Sequence, residues 1–237
     1  MKIVCISDTH GKAFHDQIPD CDVLLHCGDI CPVFDHSLSF QKQWVRDTFI
    51  PDLEKIPAKH IVFIGGNHDF YLYKLYEENR ENEIKYNLPG KVHYLRDTSV
   101  TIDGLKIHGT PWVNNLPMWA FNSPTDKFAN ERFKSISKSV DILMTHGPAF
   151  GYCDTIKEHN ETERLGHPIL LEHIIRASPQ IVVCGHIHSG NHERELLYLG
   201  NEKRKTSFFN VSLLNEQYKF AYKPRTLNYN KGEITWI

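Results

Sequence analysis

No apolar stretch in this 237-residue chain approaches the ~20 residues that a membrane-spanning helix needs. A signal-peptide pattern is missing too: Met1 leads straight into a short apolar run, so the expectation is a cytoplasmic protein with no membrane partner. Neither sign of charge predominates. The formal net charge is −2 and no Lys/Arg run exceeds Lys203–Lys205, so no dedicated nucleic-acid-binding region is advertised. That tripeptide reads as an exposed hairpin turn. The six cysteines read as those of a reduced, intracellular protein. Cys5, Cys27 and Cys184 sit in or at the end of apolar runs, where a thiol behaves as a small hydrophobe. Cys27 and Cys31 would make half of a zinc site, but no second pair at suitable spacing follows. Repeats, low-complexity tracts and linker-like stretches are absent as well. A single domain over 1–237 is the simplest reading, and no Cys or Ser nucleophile motif stands out.

What is present is ordinary in bulk, 41% hydrophobic and 24% charged, and unusual in arrangement. Five short apolar runs each end in a polar turn. Ile3–Ser7 precedes Asp8-Thr-His10, and Val23–Cys27 precedes Gly28-Asp29. Ile61–Ile64 runs into Gly65-Gly-Asn67-His68-Asp69, Ile142–Thr145 into His146, and Ile181–Cys184 into Gly185-His186-Ile-His188. Such runs read as buried strands, and the polar residues all fall at their carboxyl ends, where α/β folds bind ligands. Helices are expected at about 40–49, 71–79, 128–137 and 169–177, the last bounded by Pro168 and Pro179. Strands are expected at 92–95, 100–102 and 105–108 with a turn at Asp103-Gly104. Others fall at 208–211 and 234–237, with Lys231-Gly232 as their turn. The outcome is an α/β chain with a two-layered β core and flanking helices.

Asp, Asn and His supply the oxygen and nitrogen donors that hold divalent ions, and here there are enough for two ions sharing one carboxylate. If the first strand persisted, Asp8 and His10 would alternate to the same side and grip one ion; His186 and His188 share that spacing. Asp29 is the natural bridge, Asn67 offers a neutral oxygen and His146 an imidazole nitrogen. Two dications against two carboxylates leave a positive site that attracts phosphate and acidifies a bound water. Each residue alone has a plainer reading: Asp8 as a helix cap, Asn67 as a turn residue, the histidines as strand-end residues. Their joint placement is what points to a metal centre. His36 and His159, among others, lack that setting and default to loop or surface positions.

In this order, D-x-H, G-D, G-N-H-D, H and G-H-x-H resemble the calcineurin-like metallophosphoesterase superfamily. The resemblance implies a four-layer αββα sandwich (α/β, or α+β in some schemes). It implies Asp8, His10 and His188 on one metal, Asn67, His146 and His186 on the other, and Asp29 between them. His68 would stabilise phosphoryl oxygens or protonate the leaving alkoxide, oriented and charged by Asp69, while a metal-bridging hydroxide attacks phosphorus. A narrower resemblance, to the metallophosphoesterase-domain-containing (MPPED-type) branch, rests on Gly109-Thr-Pro-Trp112, Trp119-Ala-Phe-Asn122, Thr145–Gly151, Leu165-Gly166 and Phe209-Asn-Val-Ser212. It implies phosphodiester substrates, 2′,3′-cyclic nucleotides among them, and manganese support, with Fe, Zn, Co or Ni as alternatives.

Trp112, Trp119 and Phe121 are candidates for an aromatic wall on which a base stacks, with core packing as the competing reading. Residues 153–167 read as a substrate-facing lid or a surface loop, with His159 and Arg164 as the side chains able to reach a phosphate. The expected activity is a dinuclear phosphodiesterase on small diesters. A phosphomonoesterase or protein Ser/Thr phosphatase would use the same core, and a non-catalytic scaffold would be expected to have lost one of these residues.

Overall fold

The computed structural model describes residues 1–158, 161–200 and 204–236. In chain order its strands are β1 (Lys2–Ile6), β2 (Cys21–His26), β3 (Ala58–Phe63), β4 (Val92–Tyr94), β5 (Thr98–Ile102), β6 (Leu105–Thr110), β7 (Val113–Asn114) and β8 (Asn122–Ser123). They continue with β9 (Ile142–Thr145), β10 (Thr155–Glu158), β11 (Glu161–Arg164), β12 (Ile181–Cys184), β13 (Glu195–Leu199), β14 (Arg204–Asn210), β15 (Arg225–Asn230) and β16 (Glu233–Trp236). The α-helices are α1 (Leu38–Trp44), α2 (Ile50–Lys55), α3 (Phe70–Glu77), α4 (Asn82–Lys85), α5 (Asp126–Phe133) and α6 (Pro168–Ala177).

Two six-stranded sheets carry the fold, in the orders β16-β15-β1-β2-β3-β4 and β13-β14-β12-β9-β6-β5. Parallel pairing joins β1 to β4 in the first and β14, β12, β9 and β6 in the second. Alternation along the strands explains the layering. Ile3, Cys5, Val23, Leu25, Val62 and Ile64 meet Ile107, Ile142, Met144, Ile181, Val183 and Phe209 between the sheets. The intervening residues Val4, Ile6, Leu24, Ile61 and Phe63, and likewise Leu143, Val182 and Phe208, face outward under helices. There they meet Val45, Phe49, Leu72 and Leu75 from α1–α3 and the turns between them, and Phe133, Leu170 and Ile174 from α5 and α6. A strand buried on both faces has no polar side, which is why the sequence shows continuous apolar runs. The result is the four-layer αββα sandwich expected above. Among the described residues, no helix is long and apolar enough to cross a membrane.

Several local expectations shift. The first helix runs on from α1 through a π-helical turn at Val45–Phe49 into α2, because Pro51 stands in the first turn of α2, where its missing N–H costs little. Lys231-Gly232 turns β15 into β16, not β14 into β16. The polar strand β15 gave no periodic signal. Asp103-Gly104 is the hairpin turn between β5 and β6, both residues at positive φ. Arg204 and Lys205 lie in β14, so they are not turn residues; Lys203 lies outside the described residues.

Candidate metal centre

All five polar turns come together at the carboxyl ends of β1, β2 and β3 in one sheet and β9 and β12 in the other. The convergence is not produced by strand alternation. β1 ends at Ile6, and Asp8, His10, Asp29 and His186 have φ of 56°, 45°, 54° and 70°. Non-glycine residues rarely take this left-handed region, so the chain is bent sharply at four candidate ligands. His186 and His188 consequently diverge: the His186 ring packs on His146 at 5.2 Å, that of His188 on His10 at 5.2 Å.

The donor atoms form two clusters. His10 Nε2 and His188 Nε2 are 3.2 Å apart, His188 Nε2 is 3.4 Å from Asp8 Oδ1, and His10 Nε2 is 3.6 Å from Asp29 Oδ2. On the other side His146 Nε2 lies 3.4 Å from the same Asp29 Oδ2 and 2.9 Å from Asn67 Oδ1. Two ligands ~2.1 Å from one ion and ~90–110° apart stand roughly 3.0–3.4 Å from each other. The observed spacings are those of two coordination spheres meeting at Asp29 Oδ2, so the residues present fit a pair of divalent ions.

Surrounding bonds aim these atoms. Asp29 Oδ1 accepts the His68 amide at 2.8 Å, which leaves Oδ2 for the shared position. Asp8 Oδ2 accepts the Ser212 hydroxyl at 2.6 Å, and both its oxygens accept the His186 amide at 3.1 Å. His146 Nδ1 donates to the Cys27 carbonyl at 2.8 Å and His188 Nδ1 to that of Asn215 at 3.1 Å, so that in the neutral rings that an ion requires, the Nε2 lone pair is turned into the site. Asn210 accepts the Ser212 amide and donates to the Ile187 carbonyl, so the Phe209–Ser212 segment supports Asp8 and the turn carrying His186 and His188.

Burial works against charge on Asp8 and Asp29. The facing imidazoles, His188 for Asp8 and His146 with His68 for Asp29, nevertheless hold both carboxyls well below the usual range. Burial likewise opposes charge on His146 and His188, yet the same carboxylates raise both to about 9. His10 and His186 are pushed down to about 4, chiefly by burial.

His68 stands at the edge of this centre, 4.8 Å from the His10 ring in an edge-on contact. Its pairing with Asp69 does not occur as expected. The fully buried Asp69 carboxylate accepts three backbone amides instead, Cys31 at 2.9 Å, Gly66 at 2.7 Å and Ile30 at 3.3 Å. Burial and then the Asp29 charge push Asp69 up to about 7, against those N–H groups. Burial lowers the His68 imidazole as well, with Asp29 opposing. The partner of the His68 ring is His36, a residue with no distinguishing sequence context.

The proposed aromatic wall divides. Trp112 and Phe121 are fully buried in the core, Trp112 donating to Asp97 at 2.9 Å and Phe121 lying under Gly65. Trp119 alone of the three sits beside the site, 4.5 Å from the His68 ring. It lines a cavity of about 540 Å³ with His36, Phe70, Lys74 and Asn122. Arg164 is engaged by the buried Asp154 at 2.7 Å, which takes it away from the role of a phosphate-reaching side chain. His159 lies outside the described residues. The 153–167 segment contains the β10–β11 hairpin rather than an irregular loop. All six cysteines are buried and free, and Cys27 and Cys31 belong to no metal-like cluster among the described residues.

Comparison with known proteins places this centre. Residues 1–190 match the family model described as calcineurin-like phosphoesterase. Metallophosphoesterase domain-containing protein 1 of Homo sapiens is 33% identical over 210 residues, covering 80% of this chain and 61% of the human protein. The chain thus spans less than two thirds of that relative. A UPF0046 protein of Caenorhabditis elegans is 30% identical over 94% of this chain and 79% of its own length. Among solved structures, TT1561 of Thermus thermophilus superposes with a TM-score of 0.58 at 14% identity, covering 99% of this chain and 97% of that one, a likeness of fold. With the matched region holding every cluster residue, the chain belongs to the calcineurin-like phosphoesterase family, and its sequence is similar to the metallophosphoesterase-domain-containing branch.

Proposed function

We propose that this protein is a dinuclear metal-dependent phosphodiesterase acting on small diesters such as 2′,3′-cyclic nucleotides. The observation that carries the reading is the pair of ligand-spaced clusters sharing Asp29 Oδ2. Asp8, His10 and His188 would hold one ion, Asn67, His146 and His186 the other. Ions held there would neutralise charge on a phosphoryl group and acidify a water. Mixed imidazole and oxygen donors suit manganese, and also Fe, Zn, Co or Ni. The chain's own contribution is rigidity: carbonyls of Cys27 and Asn215 fix two imidazoles, and the His68 amide fixes Asp29. His68 would donate a proton to the leaving oxygen, a role supported by its ring lying 4.8 Å from that of His10, and the Trp119 cavity beside it would take the group that departs.

Manganese-loaded protein should turn over bis-p-nitrophenyl phosphate and 2′,3′-cyclic AMP faster than p-nitrophenyl phosphate in parallel assays. Dominant monoester turnover would convert the reading to a phosphomonoesterase. No turnover of any of the three in a protein that binds two ions would leave a scaffold.

A further inference from the structure

The His68 ring is gripped by a segment that the metal centre does not use. Its Nδ1 is 3.1 Å from His36 Nε2. Five residues on, the fully buried Gln41 of α1 donates to the His68 carbonyl at 2.7 Å and accepts the Tyr71 amide at 2.9 Å. Residues 36–41 therefore hold both the ring and the main chain of His68. The turn that presents His36 is itself tied, because Asp35 Oδ1 accepts the Ser37 amide at 2.8 Å. The His36 ring is fixed in turn, 5.2 Å from Phe70 and 5.5 Å from Trp119. Nothing comparable comes from Asp69, whose two oxygens are occupied by backbone amides.

We infer that His36 is the positioning residue for His68. Its Nε2 accepts the Nδ1–H of His68, so that in the imidazolium the proton free to transfer is the one on His68 Nε2. The inference rests on the phosphodiesterase reading and assigns the orienting role inside that reaction. When the ester bond breaks, its electron pair goes to the leaving oxygen and the proton on His68 Nε2 forms the new O–H. The attacking water supplies the new P–O bond, and one of its protons returns the neutral ring to the imidazolium. His36 exchanges nothing with substrate. It holds the ring in one tautomer and rotamer, with the leaving group on the cavity side that His36 also lines.

The test compares leaving groups. A p-nitrophenolate departs without a proton, whereas the alkoxide released from 2′,3′-cyclic AMP needs one. In manganese-loaded His36→Ala, kcat on 2′,3′-cyclic AMP should fall about 10–100-fold with KM within about twofold, while kcat on methyl p-nitrophenyl phosphate falls less than about threefold. His36→Gln, whose side-chain oxygen reaches the position of Nε2, should recover most of the loss. Equal losses on both substrates, an effect on KM alone, or no loss would overturn the assignment. Long-range ¹H–¹⁵N spectra of the His68 ring give a second readout that needs no turnover. In the neutral state the native His68 ring should show the Nδ1–H form, and that of His36→Ala a mixture. If the native protein hydrolyses neither diester, the phosphodiesterase reading fails. The spectra then decide His36 separately, an unchanged His68 pattern in His36→Ala overturning its role.

Discussion

At the scale of single residues, the centre depends on carboxylates with divided duties. Asp29 gives one oxygen to a backbone amide and the other to the position between the clusters, whereas Asp69 gives both to the backbone. That difference predicts different phenotypes. Asp69→Asn would turn an amide nitrogen toward donors at Cys31 or at Gly66 and Ile30, leaving buried N–H groups unpaired at a cost of about 1–3 kcal/mol. The urea midpoint of the metal-free protein should drop accordingly. Activity should fall by the same factor on p-nitrophenolate and alkoxide substrates, because the defect lies in the loop and not in proton delivery. A selective loss on the alkoxide substrate would instead return Asp69 to the role of orienting His68. The identity of Asp69 was plain from its motif, but its hydrogen bonds were not. A carboxylate beside a histidine in sequence is no guide to which groups face it across a turn. His36 was invisible for the converse reason: it becomes relevant only once α1 packs against the loop after β3.

At the scale of elements, strands buried on both faces were the legible part. The ranges Ile142–Thr145 and Ile181–Cys184 are matched residue for residue, because continuous apolar runs bounded by polar turns have few other readings. The half-exposed, polar β15 carries no such signal. The strand alternation invoked for Asp8 and His10 failed too, since the chain leaves β-geometry at the turn and adopts positive φ at both. No propensity rule places Asp or His there in preference to glycine. Gly66 and Gly185 act instead through space. A methyl group on Gly66 would fall on Asp29 Oδ1 and its amide nitrogen, and one on Gly185 on Ser7 Oγ and Asp8 Oδ2. Gly66→Ala must therefore displace Asp29 and should weaken manganese binding about 10–100-fold, as disturbed supporting contacts generally do. Gly90→Ala, where nothing lies within 4 Å of the added carbon, is the control and should bind as the native protein does. Isothermal titration of the two variants decides it, and equal affinities would show that the turn yields without moving the carboxylate.

At the scale of the whole molecule, the centre is a seam. Asp8, Asp29 and Asn67 follow strands of one sheet, and His146, His186 and His188 follow strands of the other. The polypeptide stitches the same seam through His146 to Cys27, Ser212 and His186 to Asp8, and the Leu213 amide to the Ser7 carbonyl at 3.1 Å. Ions bound there join the two halves of the sandwich, so their free energy of binding is stability of the whole fold. Saturation at a thousand times Kd supplies about 4 kcal/mol, which for a chain of this size raises Tm by about 8–16 °C. The pH dependence follows from His146 and His188, both raised to about 9 by the carboxylates they face. Without metal, their imidazolium–carboxylate pairs contribute stability that is fully present below the ordinary histidine value near 6.5 and is lost as pH rises through about 9. Metal requires the neutral rings, so its affinity climbs over the same interval as the protons leave. Both trends are one linkage, the release of the same protons, so the gap in Tm between manganese-loaded and chelator-treated protein should widen from pH 6.5 toward pH 9. Asp29→Asn should abolish most of that gap. A gap that narrows with pH would mean that His146 and His188 do not give up protons to the ions, and that the clusters are salt-bridged parts of the sandwich rather than a metal centre.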